Sequence, residues 1–473
     1  MIYQNLTRRR FILRSTGVAA TVFAMPNLLL HGQDTAAKRL NIAVIGALGK
    51  GQSDTRGVDN DHNIVALVDV DSKRLDNAAK GLKKARPSAK APRLYADFRT
   101  MFDEMAKDID AVIVSTPDHT HFVAAQWAIR HKKHVCVQKP LCNTLWEVRE
   151  LHRAAQAAGV TTQMGNQGRT TEGHRLAKEW IEQGVIGTLK EVRLWTNRPI
   201  WPQSPMAKKA SDCPPNLQWD LWLTSEPSEP YFEFDVPAGQ NSKRGNSVHP
   251  FNWRGWWQFG SGALGDMGCH IMDATFNVLG RRLPEKIEVE SSPVSDLNAP
   301  AWSRLVYHFA AAGKLPALTV SWLDGKKDGQ PHKPERDERV PKEEYDRNDS
   351  GMMFIGTEGV VMADTYCNRP MVYPDAKDDE VRQAMKDGKL KKTEPRSAHP
   401  GNPQLEWADC IVHGGRPSSN FDYSAPLSEF VLLGNLAIRS GQTIQWDTQN
   451  LKVTNVAAAN RFIKRPAYRA GWV

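Results

Sequence analysis

Leu40-Asn41-Ile42-Ala43-Val44-Ile45-Gly46-Ala47-Leu48-Gly49-Lys50-Gly51, followed by Ile64-Val65-Ala66-Leu67-Val68-Asp69, decides the fold. The first run is a continuous apolar strand ending in glycine, the pattern of a strand buried on both faces. Glycines at such a strand end allow a tight turn and a close backbone approach to a pyrophosphate at a helix start. Gly46 and Gly51 hold the outer positions of a G-x-G-x-x-G spacing; Leu48 takes the middle place, and Gly49 partly substitutes. Asp69 ends the second strand where an acid accepts hydrogen bonds from the adenosine ribose hydroxyls and repels a 2′-phosphate. Gly46, Leu48, Gly49, Lys50, Gly51 and Asp69 are therefore candidate cofactor-binding residues, with NAD favoured over NADP.

Working outward, strands and helices alternate. A charged helix is expected over 72–84, a strand over 111–114, a helix over 122–130, a strand over 134–137, a helix over 145–158 and a strand over 161–164. That rhythm implies a doubly wound parallel sheet, hence an α/β fold. After about Gly165 the pattern changes to short strand-like runs at 189–195, 286–290, 304–308, 317–322 and 359–363 between long irregular segments. This predicts a second, α+β domain with a large, mainly antiparallel open sheet. The charge-dense stretches 324–351 and 375–396 read as solvated loops. The expected division is a signal segment over 1–37, a nucleotide-binding domain over 38–164 and a substrate domain over 165–473.

Thr7-Arg8-Arg9-Arg10-Phe11-Ile12 resembles a twin-arginine export signal, followed by a short apolar stretch and small residues at Ala36-Ala37. It predicts a periplasmic protein translocated folded by the twin-arginine machinery, or an N-terminal anchor facing the periplasm. No other stretch is long and apolar enough to span a bilayer. Of the net charge of +9, residues 1–39 carry +5. The remainder is spread out, so no nucleic-acid or lipid patch is expected. Cys136, Cys142, Cys213, Cys269, Cys367 and Cys410 form no CxxC pair or zinc spacing and are expected to be reduced and buried; no metal is expected.

Three further motifs carry a resemblance: Thr116-Pro117-Asp118-His119-Thr120-His121, Gln138-Lys139-Pro140, and Gly262-Ala263-Leu264-Gly265-Asp266-Met267-Gly268-Cys269-His270. With Phe354-Ile355-Gly356-Thr357-Glu358-Gly359 and the terminal Tyr468-Arg469-Ala470-Gly471-Trp472, they look like the Gfo/Idh/MocA oxidoreductases. The resemblance implies NAD(P) in the first domain and a sugar or polyol against the open sheet. It implies an active-site lysine, Lys139, and an Asp-x-x-x-His pair, Asp266 and His270. It places Thr116, Pro117, His119 and His121 by the nicotinamide ribose, with Gln138 and Lys139 also at the cofactor. Gln138 replaces the usual glutamate and removes a negative charge beside Lys139. Similar proteins pair through their open sheets, so a homo-oligomer is expected.

The chemistry of these residues agrees. Asp266 and His270, four apart, share a helix face. Oxidising a secondary alcohol needs a base for the hydroxyl proton, and histidine suits that near neutral pH. Lys139, at a strand end before a proline that tolerates a cis peptide, can stabilise alkoxide charge. Trp195, Trp201, Trp219, Trp222, Trp253, Trp256 and Trp257 crowd one region with Arg198 and Asn252. Aromatic faces stack on sugar C–H surfaces, and Asn166, Gln167, His249, Trp253 and Arg254 are the candidate substrate contacts. The expected activity is NAD-dependent oxidation or reduction of a sugar, polyol or glycoside hydroxyl. The alternative is a glycosidase or lyase that oxidises, eliminates, hydrates and re-reduces with tightly held NAD. A two-sugar dismutase and a non-catalytic sugar sensor are further readings.

Overall fold

The computed structural model describes residues 39–235 and 245–473. The segment expected to be an export signal, residues 1–37, lies outside the described residues.

Six parallel strands form the first sheet: β1 (Asn41–Ile45), β2 (Asn63–Val68), β3 (Arg93–Tyr95), β4 (Ala111–Val114), β5 (His134–Val137) and β6 (Thr162–Met164), in the order β3-β2-β1-β4-β5-β6. Helices α1 (Lys50–Arg56), α2 (Ser72–Ala85), α3 (Phe98–Met105), α4 (Asp118–Arg130) and α5 (Leu145–Ala158) connect them. Local chemistry sets the helix starts. The Asp71 carboxylate caps α2 by accepting the Arg74 N–H at 3.2 Å. Thr144 and Glu147 form a reciprocal capping box on α5, and Gly159, at φ 66°, ends it. Helix α4 starts four residues before the sequence predicts, so the polar Asp118-His119-Thr120-His121 run is its buried first turn.

The second domain contains helices α6 (Glu172–Glu182), α7 (Trp219–Leu223), α8 (Gly262–Val278), α9 (Lys342–Arg347), α10 (Asp375–Lys386), α11 (Pro403–His413) and α12 (Phe421–Ser440). Its strands are β7 (Leu189–Thr196), β8 (Ala207–Ala210), β9 (Phe232–Asp235), β10 (Lys286–Ser291), β11 (Trp302–Phe309), β12 (Leu318–Lys327), β13 (Gln330–Pro331), β14 (Gly351–Gly356), β15 (Val360–Asp364), β16 (Met371–Tyr373), β17 (Ile444–Asp447) and β18 (Lys452–Val453). The large sheet runs β16-β15-β14-β7-β12-β11-β10-β17-β18, with β13 on β12, and β8 pairs with β9 apart from it. Only the β7–β12 pairing in it is parallel. Helices α8 and α12 cover one face. A Cβ on Gly268 would lie 2.7 Å from Val431 Cγ1, so the small residues of α8 set how closely α12 approaches. All of α8 except Asp266 is buried.

Two expectations are corrected. The stretch after β12 is not a solvated loop: Val340 and Tyr345 pack onto Trp195, Met353 and Met362 and cover the outer face of β7, β14 and β15. Nor is 375–396, which forms α10 and then ion-pairs with α6 through Lys178–Glu394 at 2.6 Å and Arg396–Glu172 at 2.9 Å. In both, the charged side chains flank a few apolar anchors or find opposite charges, which composition does not reveal. The chain also returns to the first domain: Trp407 and Ala408 of α11 join Ile42, Val44 and Ile113 in its core.

Candidate active site

The carboxyl ends of β1, β2, β4 and β5 open onto a cleft of about 570 Å³ that the second domain closes. It lies where the strand order reverses between β1 and β4, the place where open parallel sheets bind ligands. A Cβ on Gly46 (φ +85°) would sit 2.6 Å from Ser115 O, and one on Gly51 would sit 1.7 Å from Gly46 O. Both outer glycines are therefore required by the turn. Leu48 is compatible because the left-handed conformation falls on Gly49, at φ 75°, while Leu48 packs partly against the strand core. Gly46, Leu48, Gly49, Lys50, Asp69, Thr116, Pro117, Gln138 and Lys139 all line the cleft. Gly51 does not; it supports the loop from behind.

These residues fit a dinucleotide. Asp69 accepts the Ala47 N–H at 3.2 Å and the Asp71 N–H at 3.1 Å, and burial raises its pKa. Thr116 Oγ1 is buried on the lining with no hydrogen-bond partner among the described residues, as expected of an atom that meets a ligand. Arg74 was not anticipated. It donates to Leu48 O at 3.0 Å, and its Nε lies 4.0 Å from Asp69 Oδ2. The only sequence signal was a base five residues after the acid.

Gln138 has a local explanation. Its Nε2 donates to Asp54 Oδ2 at 2.9 Å. The buried Asp54 carboxylate also accepts Ser115 Oγ at 2.7 Å and Gln404 Nε2 at 2.8 Å, and pairs with Lys50. A glutamate at 138 would set a second carboxylate against Asp54. Lys139 finds its counter-charge elsewhere, at Asp266 Oδ1, 3.0 Å away, and the Lys139–Pro140 peptide is cis.

Asp266 Oδ1 also accepts Arg254 Nε at 3.2 Å, so one carboxylate holds two cations. Burial opposes its ionisation, but Lys139 and then Arg254 hold its pKa well below the usual carboxylate range. One helical turn on, His270 Nδ1 lies 3.0 Å from Asn166 Oδ1. Asn166 Nδ2 donates to Asp273 Oδ2, and Tyr423 OH donates to Asp273 Oδ1. An ionised carboxylate only accepts, so the Asn166 amide group points to Asp273 and its oxygen to His270. Nδ1 of His270 is thereby the donor, and Nε2 keeps a lone pair. Burial, reinforced by Lys139, lowers the His270 pKa well below the ordinary histidine value. The ring lines the cleft, edge-on to Tyr366 with centroids 4.9 Å apart.

Lys139, Asp266 and His270 are thus brought together, and Gln167, His249, Trp253 and Arg254 line the same cleft. Gln167 Oε1 has no partner among the described residues. Other expectations fail. Asn166 is fully buried behind His270 and does not line the cleft. His119 and His121 are equally buried off the lining: His119 Nε2 meets Trp222 O at 2.8 Å, and His121 lies between Pro140 O and Thr116 O. Both belong to the α4 scaffold. Of the seven crowded tryptophans only Trp222 and Trp253 reach the cleft. Trp195 is fully buried under the outer strap, and Trp256 packs on Phe232 and Phe234. Asn252 donates to backbone carbonyls of Gly245 and Ser247. Cys213 is exposed rather than buried.

Asp118, Arg198, Tyr366 and Trp472 also line the cleft. Asp118, within a quoted motif, accepts Ser261 Oγ, and burial pushes its pKa up to about 7. Tyr366 carried no sequence signal. Among the described residues no group of three or more His, Cys, Asp or Glu side chains could hold a metal ion.

A Rossmann domain that brings Lys139 to a cleft closed by an α+β domain carrying Asp266 and His270 is the plan of a two-domain, NAD-binding oxidoreductase. This chain belongs to the Gfo/Idh/MocA family: residues 40–166 match the oxidoreductase family's NAD-binding Rossmann fold, and 188–318 match its C-terminal alpha/beta domain. It is 41% identical over 80 residues to 1,5-anhydro-D-fructose reductase of Ensifer adhaerens, covering 17% of this chain and 24% of that one. It is 26% identical over 186 residues to levoglucosan dehydrogenase of Pseudarthrobacter phenanthrenivorans, covering 39% and 36%. The chain thus aligns with only about a quarter to a third of these relatives' own length. In fold it is similar to a levoglucosan dehydrogenase solved with NADH and levoglucosan (TM-score 0.56, 15% identity, 86% of this chain and 99% of that one). It is also similar to the WlbA dehydrogenase of Bordetella pertussis (TM-score 0.55, 14% identity, 87% and 99%).

Proposed function

We propose that the protein oxidises or reduces a secondary hydroxyl of a sugar, polyol or glycoside, using NAD. The observation that carries this is His270, oriented by Asn166, one turn from the Asp266–Lys139 pair on the cleft wall. NAD, held by the glycine loop, Asp69 and Thr116, supplies the hydride acceptor or donor. His270 Nε2, neutral because its pKa is lowered, takes the hydroxyl proton. Lys139 faces the developing alkoxide charge, and Asp266 holds it in place. Gln167 Oε1 offers an acceptor to a neighbouring hydroxyl, while Trp253 offers an aromatic wall. Relatives named for anhydrosugars support a carbohydrate substrate.

One observation favours a second reading, glycoside cleavage through transient oxidation. Asp118 holds its proton up to about pH 7 beside Lys139, Arg254 and Asp266. A neutral carboxyl in that position can protonate a leaving oxygen. A relative 33% identical over 84 residues is named 2,7-anhydro-N-acetylneuraminate hydratase.

Incubating the protein with NAD and a panel of sugars and aryl glycosides tests both. Net NADH that accumulates with an unchanged glycosidic bond supports the first. Cleavage without net NADH, with solvent deuterium entering beside the oxidised carbon and a rate that falls above pH 7, supports the second. Neither product from any member of the panel overturns both.

We also propose export by the twin-arginine route, with NAD acquired before translocation. Arg8-Arg9 motivates it, and a cofactor bound during folding suits a pathway that carries folded clients.

A further inference from the structure

The two ends of the cleft differ in charge balance. At the nucleotide end each cation has its own carboxylate: Lys50 pairs with Asp54, and Arg74 lies by Asp69. At the substrate end Lys139 and Arg254 share the single oxygen Asp266 Oδ1. Asp118, the other carboxyl at that end, accepts from Ser261 Oγ, and burial opposes its ionisation. Arg198, just beyond β7, lines the same end and has no carboxylate partner among the described residues; its Nη1 donates only to the Asn197 amide. The stretch 236–244, Val-Pro-Ala-Gly-Gln-Asn-Ser-Lys-Arg, contains no acid. Lys139, Arg254 and Arg198 thus line that end, and among the described residues Asp266 is the one carboxylate paired with any of them.

An arginine on a cleft wall without a counter-ion is costly to desolvate unless a ligand supplies the charge. Its planar fork matches a carboxylate. Its neighbours fix where that carboxylate would lie. Tyr366, whose ring stands edge-on to His270, feels the charge of Asp266 and also those of Arg198, Lys50 and Asp364. Arg198 thus shares a cleft wall with Tyr366 and His270, where the anion would lie. Arg254 stacks on Trp253 at 4.3 Å and on Phe251 at 4.4 Å, so it is held rigid beside the same space.

We infer that the substrate is a sugar acid, a uronate or a related carboxylate-bearing carbohydrate, read by Arg198 with Arg254. This rests on the carbohydrate reading above. Calorimetric titration of the full chain loaded with NAD tests it, using D-glucuronate, D-galacturonate and D-mannuronate, each against its neutral aldose, with acetate as the bare anion. At least one uronate is expected to bind about tenfold or more tighter than its aldose and than acetate. That preference should shrink as salt is raised. Arg198→Gln should weaken the uronate at least tenfold more than the aldose, and Arg198→Lys should restore part of the difference.

Equal affinity for uronate and aldose, loss of both alike in Arg198→Gln, or no binding of any pair would overturn the inference. Acetate binding as tightly as the uronates would show a general anion site instead and overturn it too. Uronate binding without any NADH formed would leave this inference standing and count against the redox reading.

Discussion

Asn166 decides how His270 can work. With its amide committed to Asp273, its oxygen can only receive the Nδ1 proton, so the lone pair is on Nε2. Asn166→Ala frees the ring to adopt the other tautomer. A positioning role predicts kcat down about 10²-fold with KM changed far less. Equal losses in binding and turnover would instead mean a merely structural role. Because His270 is held neutral, the acid limb of kcat/KM should fall below the ordinary histidine value of 6.5; a limb above that value contradicts the assignment. Asp69 carries a second residue-level prediction. Its removal leaves Arg74 beside the adenosine ribose position, free to meet a 2′-phosphate. Asp69→Ala should raise the Kd for NAD and lower that for NADP, read by fluorescence titration. A variant that loses both cofactors equally would mean that Asp69 only braces the loop.

At the scale of elements, what was legible followed local physics. Strands β1, β2, β4 and β5 are apolar runs with polar or glycine ends, and their bounds were readable almost to the residue. Strand β3 and helix α3 were not read, since Arg93–Tyr95 is a three-residue edge strand with no room for a period. The proposed catalytic residues Asp266 and His270 were legible because they sit one turn apart on a helix too small and polar to be ordinary core. The tryptophan cluster misled, because a buried indole and a sugar-stacking indole have the same residue type. The charged strap misled for the opposite reason, hiding Val340 and Tyr345 among many polar residues. Helix α11 is the clearest case of long-range placement. Trp407, fully buried, donates to Thr161 O at 3.1 Å, and Gln404 reaches Asp54 under the nucleotide loop. Trp407→Ala should cost about 3–5 kcal/mol of stability in denaturant titration. A loss under about 1 kcal/mol would show that α11 is a detachable appendage.

At the scale of the whole molecule, buried carboxyls tie stability to pH. Burial raises Asp118 to about 7 and Asp273 and Asp324 to about 6, from 3.8. Each binds its proton more tightly folded than unfolded. Their contribution is therefore full below about pH 4 and is lost as pH rises through 6 to 7. Tm should decline from about pH 4 to 7 and level off above, and Asp118→Asn should flatten part of that slope; an unchanged slope contradicts the raised pKa. The proposed export would make a separate demand on the molecule. Replacing Arg8 and Arg9 together by lysine should retain the full-length chain in the cytoplasm on fractionation, whereas unaltered export would remove the twin-arginine proposal. The central claim is that His270 is the base of a hydride-transfer site. It is tested most directly by single-turnover reduction of bound NAD by a sugar substrate, in the parent protein and in His270→Ala. The account predicts NADH formation slowed at least about 10²-fold in the variant with NAD affinity unchanged; equal rates in the two proteins would contradict it.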